Sequence, residues 1–278
     1  MQATTEDRPA MSKEALPAGA NPTGIDAYKP AEIALRIEEA GVGKTQLGLV
    51  QIIALSLLAG AFIAFGAAFY TVTMTGADSG FGPARLLGGA AFSLGLILVV
   101  VGGAELFTGN ALMVMAWVDR RIATAAMLRT WLVVYLGNLA GALGMAVLVW
   151  ASGLLDGASG ELAVRIAESK TALPFVEAFA RGILCNALVC LAVWLSFAAH
   201  SVAGKILAIL WPITAFVALG FEHSVANMYL IPVGQLAGAG GGIAGLAANL
   251  VPVTLGNIVG GAGGVALAYW AAYRRTPV

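Results

Sequence analysis

The sequence predicts an all-α membrane protein: six transmembrane helices forming two inverted three-helix repeats, with the second and fifth helices interrupted. Three observations lead there. The 278-residue chain is 59% hydrophobic and 11% charged, with a mean hydropathy of +0.87, where an ordinary soluble domain is about 25% charged. Its charges leave long apolar runs untouched, and two motifs recur in the two halves at matched spacing. This composition excludes a disordered chain, a collagen-like chain, a disulfide scaffold and an ordinary cytosolic enzyme. A net charge of zero gives no sign of nucleic-acid binding.

In chain order, residues 1–28 are polar, interrupted by Pro9, Pro17 and Pro22, and lack an apolar signal core. They read as a flexible cytoplasmic tail. Pro30 then opens an amphipathic helix within residues 29–42, with Ile33, Ile37 and Ala40 on one face, suited to the membrane interface. Residues 43–273 are expected to form the transmembrane domain and 274–278 a cytoplasmic C-terminus. No charge falls between Lys44 and Asp78, from Leu86 to Ala104, from Thr130 to Ala151, from Gly182 to Gly204, from Ile206 to Phe221, or between Glu222 and Arg274. A charge-free apolar run of about 18 residues or more spans a bilayer as a helix. With the Gly-rich stretch Gly234–Gly245 dividing the last run, the spans are 47–75, 85–118, 127–152, 173–199, 206–232 and 247–272. Eleven of the fifteen Lys and Arg residues fall on the N-terminal side of the membrane, leaving Arg85, Arg165, Lys170 and Arg181 on the other. Both termini are therefore expected in the cytoplasm. Cys185 and Cys190 lie in the fourth span, where apolar packing is their expected role.

The repeat rests on two pairs. Leu136-Gly137-Asn138 in the third span matches Leu255-Gly256-Asn257 in the sixth. Glu105 and Asn110 in the second match Glu222 and Asn227 in the fifth, five residues apart in both cases. Glu105 to Asn138 is 33 residues and Glu222 to Asn257 is 35. Three spans per half is an odd number, so the second half enters the membrane inverted. Spans one and four show little likeness.

Glu105 and Glu222 stand inside apolar spans, where a bare carboxylate is costly. Each is flanked by glycine and by hydroxyl or amide residues, as suits a broken helix. The expected role of both is to accept the backbone N–H groups that a break exposes; the alternative is contact with a permeant solute. His223 occupies the repeat position of Leu106 and is one of two histidines. Its place in an interrupted intramembrane segment favours a function over simple packing, and imidazole exchanges a proton near neutral pH. His200, at the end of the fourth span, reads as interfacial. Gly137–Gly141 and Gly256–Gly260 allow close helix approach, within or between protomers.

At these residues the sequence resembles the formate/nitrite transporter family. The matching stretches are Phe92–Leu98, Gly103–Gly109, Gly182–Trp194, Gly220–Met228 and Val253–Gly260, and the likeness extends over about residues 27 to 272. The resemblance implies an aquaporin-like homopentamer in the cytoplasmic membrane, with one pore per protomer, no cofactor or metal, and small anions as substrates. It assigns the pore centre to His223, the polar pore residues to Thr108, Asn186, Asn227 and Asn257, and the apolar constrictions to Phe92, Leu96, Leu106, Phe107, Val189 and Phe216. It gives Lys170 the task of attracting anions and Glu222 that of fixing the fifth helix, with Glu105 its counterpart. Position 105 is Glu, as in the nitrite-type branch, whereas Asn227–Val233 and residues 69–73 look like the formate branch.

The expected function is pH-dependent transport of weak-acid anions, formate first and nitrite next, with hydrosulfide or acetate also open. His223 protonates the anion so that a neutral acid crosses the apolar ring. One rival is a water- or glycerol-type pore, which lacks its paired Asn-Pro-Ala signature here. Another is a membrane enzyme or cytochrome holding haem between His200 and His223, for which no accompanying catalytic set is present.

Overall fold

The computed structural model describes residues 27–275, and they are all-helical. The expected tail therefore lies almost wholly outside the described residues. Helix α1 (Pro30–Thr45) starts at a proline, and Glu32 accepts the Lys29 backbone N–H at 2.8 Å. Its apolar face packs on the rest of the protein. Ile33, Ala34, Ile37, Glu38 and Gly41 are all buried, packed under the helices Val114–Val118, Phe175–Ala198 and Leu267–Tyr273. Glu38 is fully buried because two guanidinium groups reach it: Arg274 at 2.7 Å and Arg121 at 3.3 Å. Arg274 also meets Asp119 at 3.4 Å. Burial is the main influence on the Glu38 carboxyl and raises it above the usual carboxylate range, while Arg274 pulls it back.

Five helices among the described residues are long and apolar enough to cross a membrane. They are α2 (Leu49–Met74), the pair α3 (Gly82–Phe92) and α4 (Leu94–Gly102) taken as one, α6 (Thr124–Ala151), α8 (Phe175–Ala198), and a last helix over Gly242–Tyr273. That last one combines α11 (Gly242–Ile258), an eight-residue π-helical segment (Val259–Ala266) and α12 (Leu267–Tyr273). The expected second span is broken after α4, and resumes as a 3-10 turn (Gly109–Met113) and α5 (Val114–Val118). The fifth is split into α9 (Val202–Ala218) and α10 (Ser224–Leu236), each shorter than a full crossing. The sequence reading missed α7 (Ala158–Thr171), which sits in an expected loop. Its buried Gly160, Ala163 and Ala167 make a narrow small-residue stripe against α10, too weakly apolar to register in a hydropathy scan.

The glycine motifs settle within the protomer. A Cβ on Gly60 or Gly141 would meet the carbonyl of Asn138 or Leu57 at 2.1 Å, so α2 and α6 cross backbone to backbone. Gly256 and Gly260 play the same part for α11 and the π segment against α8, with Phe179 O at 2.2 Å and Ile183 O at 2.0 Å. These crossings bring the carbonyls of α2 and α8 to the two helix breaks.

Candidate functional site

Both breaks open at a glycine with positive φ: Gly103 at +83° after α4, and Gly220 at +74° after α9. Such a backbone suits glycine and ends a helix abruptly. The chain then runs without helical structure past Glu105 and Glu222, leaving N–H and C=O groups that lipid cannot satisfy. Asparagines from neighbouring helices supply the partners. Asn138 Oδ1 accepts the Phe107 N–H at 2.9 Å, and its Nδ2 donates to Glu105 O at 2.9 Å and Ser56 O at 2.8 Å. Asn257 Oδ1 accepts the Ser224 N–H at 2.9 Å, and its Nδ2 donates to Glu222 O at 3.0 Å and Gly182 O at 2.8 Å. The N–H groups of Glu105 and Glu222 donate to Leu55 O and Arg181 O, at 3.1 and 3.3 Å. Spans one and four thus take matching places without matching side chains, because their contribution is backbone carbonyl.

The acids do something other than expected. Among the described residues neither accepts a backbone N–H. Glu105 binds Lys44 Nζ at 2.7 Å and Asn110 Nδ2 at 2.9 Å. Glu222 binds Lys170 Nζ at 2.8 Å and Asn227 Nδ2 at 2.6 Å. A carboxylate at this depth needs an opposite charge, whereas an amide offers a donor and an acceptor together and so can close a backbone break. Lys170 is accordingly engaged with Glu222 rather than a free cation at the mouth. Lys44, its counterpart, was not singled out in the sequence, since its partner lies 61 residues away on another element. Asn257 is committed to backbone, and Asn186 likewise donates to Asn257 O at 2.6 Å and Thr108 O at 3.2 Å.

Two cavities approach the breaks and share no lining residue. A larger one of about 660 Å³ lies beside α1, bounded by Lys44, Glu105, Asn110, Leu96 and Leu106, with Arg36 and Lys205 at its edge. The other, about 350 Å³, lies beside α7, bounded by Lys170, Glu222, Asn227, Phe92, Phe216 and His223. Phe92 and Leu96 face different cavities though only four residues apart, about 6 Å along a helix. Phe92 and Phe216 meet edge to face at 5.5 Å, and Phe216 stacks on the His223 ring at 5.9 Å. Phe107 turns away to pack on Trp131 and Tyr135 of α6, and Val189, though buried, lines neither cavity.

His223, 2% exposed, precedes the first residue of α10. Its Nδ1 accepts the Ala226 N–H at 3.0 Å. A backbone N–H can only donate, so the neutral ring carries its proton on Nε2, 2.9 Å from Thr108 Oγ1. The two broken segments therefore meet at one hydrogen bond between a hydroxyl and an imidazole. His200 is far from this pair in role: its ring packs edge to face on Tyr28 at 4.2 Å.

A multi-helix apolar fold whose two broken helices each open beside a cavity, with His223 in the wall of the one beside α7, is the build of a multi-pass membrane transport protein. The chain belongs to the formate/nitrite transporter family, whose model, described as "Formate/nitrite transporter", matches residues 31–271. It is similar to the formate channel FocA of Escherichia coli strain K12, 44% identical over 214 residues, covering 76% of this chain and 75% of that one. Among solved structures it is similar to an "FNT family ion channel", with a TM-score of 0.81 and 32% identity, covering 88% of this chain and 99% of that one. It is also similar to a "pentameric formate channel with formate bound", with a TM-score of 0.72 and 38% identity, covering 82% and 98%. This membership in a family of transporters and channels sets the enzyme reading aside.

Proposed function

We propose that this protein passes small monovalent anions of weak acids, formate first and nitrite next, across the cytoplasmic membrane in a pH-dependent manner. In this reading it is a homopentamer with a pore through each protomer, its halves cross the bilayer in opposite senses, and both termini face the cytoplasm. The names of its relatives, a formate channel and a pentameric channel holding formate, support the substrate and the assembly. The observation that carries the mechanism is the Thr108–His223 pair: His223 stands with Phe92 and Phe216 in the wall of the cavity beside α7, while Leu96 and Leu106 line the cavity beside α1.

An anion enters the cavity beside α7, whose lining among the described residues holds Lys170 and Arg181 against one acid, Glu222. Beyond it the apolar walls exclude a bare charge. At the pair, the anion takes the place of the Thr108 hydroxyl on His223 Nε2–H. A ring carrying a second proton sets Nδ1–H against the Ala226 N–H, so loading that proton opens the bond. Transfer from Nε2 to the anion then leaves a neutral ring and a neutral acid, which crosses to the cavity beside α1. The test is formate uptake into proteoliposomes at two pH values. Wild type takes up formate faster at the lower pH, and His223→Asn loses proton-coupled uptake. Wild-type uptake and pH response in His223→Asn would refute the proton role. Competition between formate and nitrite sets their order.

A further inference from the structure

We propose that Asn249 is a positioning residue for the anion-receiving end of the pore, holding Lys170, Glu222 and Asn227 in one arrangement. The functional half of this inference rests on the transport reading above. Asn249 sits in α11 and is 2% exposed. Its Oδ1 accepts from Asn227 Nδ2 at 2.7 Å. Its Nδ2 donates to the Lys170 carbonyl at 2.9 Å and lies 3.5 Å from Glu222 Oε2. One side chain thus touches all three members of the Lys–Glu–Asn cluster.

Among the described residues the cluster on the other side has no such clamp. Asn249 lies eight residues before Asn257, and the residue eight before Asn138 is Thr130, buried at 5% exposure. A threonine hydroxyl is too short to reproduce a two-headed amide. The ion pairs differ accordingly. Lys44 and Glu105 have side-chain exposures of 27% and 9%, and Lys170 and Glu222 only 14% and 4%. Without Asn249, the last turn of α7 loses its tie to α11 and the Asn227 amide is free to turn. The Lys170 ammonium then no longer stands at a fixed place in the wall of the cavity.

Two variants separate this role from packing. Asn249→Thr copies the unclamped half. Asn249→Asp keeps the shape and the acceptor for Asn227 but removes both donors and places a second carboxylate beside Glu222. Half-saturating formate is expected to rise about fivefold in Asn249→Thr, the size of one net hydrogen bond, and further in Asn249→Asp. Maximal uptake should change far less in both. A packing role alone gives the reverse order, since Asp fills the space and Thr does not. Acylation of Lys170 by a water-soluble amine-reactive ester, followed by mass spectrometry, reads the geometry without transport. It should be several-fold faster in Asn249→Thr than in wild type. Unchanged labelling, or a half-saturation that stays at the wild-type value or rises more in Asn249→Thr than in Asn249→Asp, overturns the inference. If wild type takes up no formate, the transport reading falls while the labelling still decides whether Asn249 fixes Lys170.

Discussion

The closure of the broken helices by Asn257 gives the sharpest quantitative prediction. Asn257→Ala removes three hydrogen bonds at a fully buried position, at 2.8, 2.9 and 3.0 Å. The losses are unequal. The Ser224 N–H belongs to the first turn of α10, which has no intrahelical acceptor for it, so it is left orphaned in an apolar surrounding; that costs about 2 kcal/mol. Glu222 O lies in the non-helical break, and its loss adds about 1 kcal/mol. Gly182 O keeps its place inside α8 and contributes least. The vacated amide volume adds about 1 kcal/mol. The sum is about 4 kcal/mol, near a thousandfold in the folding equilibrium. Asn138→Ala should cost a similar amount, because its contacts match one for one. The assay is denaturant titration of the detergent-solubilised protein, with both variants beside wild type. Unfolding free energies within about 1 kcal/mol of wild type would show that the breaks are held by something other than these amides.

Further outcomes follow from packing and charge. Gly260→Ala places a Cβ 2.0 Å from Ile183 O, backbone that cannot swing aside, so thermal stability should fall by the equivalent of about 1–3 kcal/mol. Gly263→Ala, with nothing within 4 Å, is the neutral control. Glu38 predicts a pH effect on α1. Burial holds its carboxyl above the ordinary 4.5, so docked α1 binds the proton more tightly than free α1. Glu38 therefore favours docking more as pH falls from the raised value towards 4.5, and less above it. Glu38→Gln should flatten that dependence in hydrogen exchange of α1; an unchanged slope would refute it.

Much of the fold was legible because bilayer physics is one-dimensional. An apolar run without charge has to be a helix, so α2, α6, α8 and the last span lie within a few residues of their expected places. The breaks were legible too, since each pairs a glycine with an acid inside such a run. What the acids bind was not. Lys44 is 61 residues from Glu105, and Lys170 is 52 from Glu222, both on helices outside the repeat motifs. Nor could the sequence show that Asn257 serves backbone while Asn227 serves a carboxylate, because both are simply asparagines in apolar helices.

The sequence by itself determined the apolar medium and the two interrupted segments, and it singled out His223 within one of them. It could do so because each follows from local composition or from spacing along one chain. The tertiary structure alone decided which partner each polar group takes. It set Thr108 on His223 Nε2, Asn138 and Asn257 on the breaks, and Lys44 and Lys170 on the two acids. Those choices depend on glycine-lined crossings that bring α2 to α6 and α8 to α11 within backbone contact. A buried polar group is satisfied by whatever donor or acceptor the packing delivers, and packing is a property of the assembled helices.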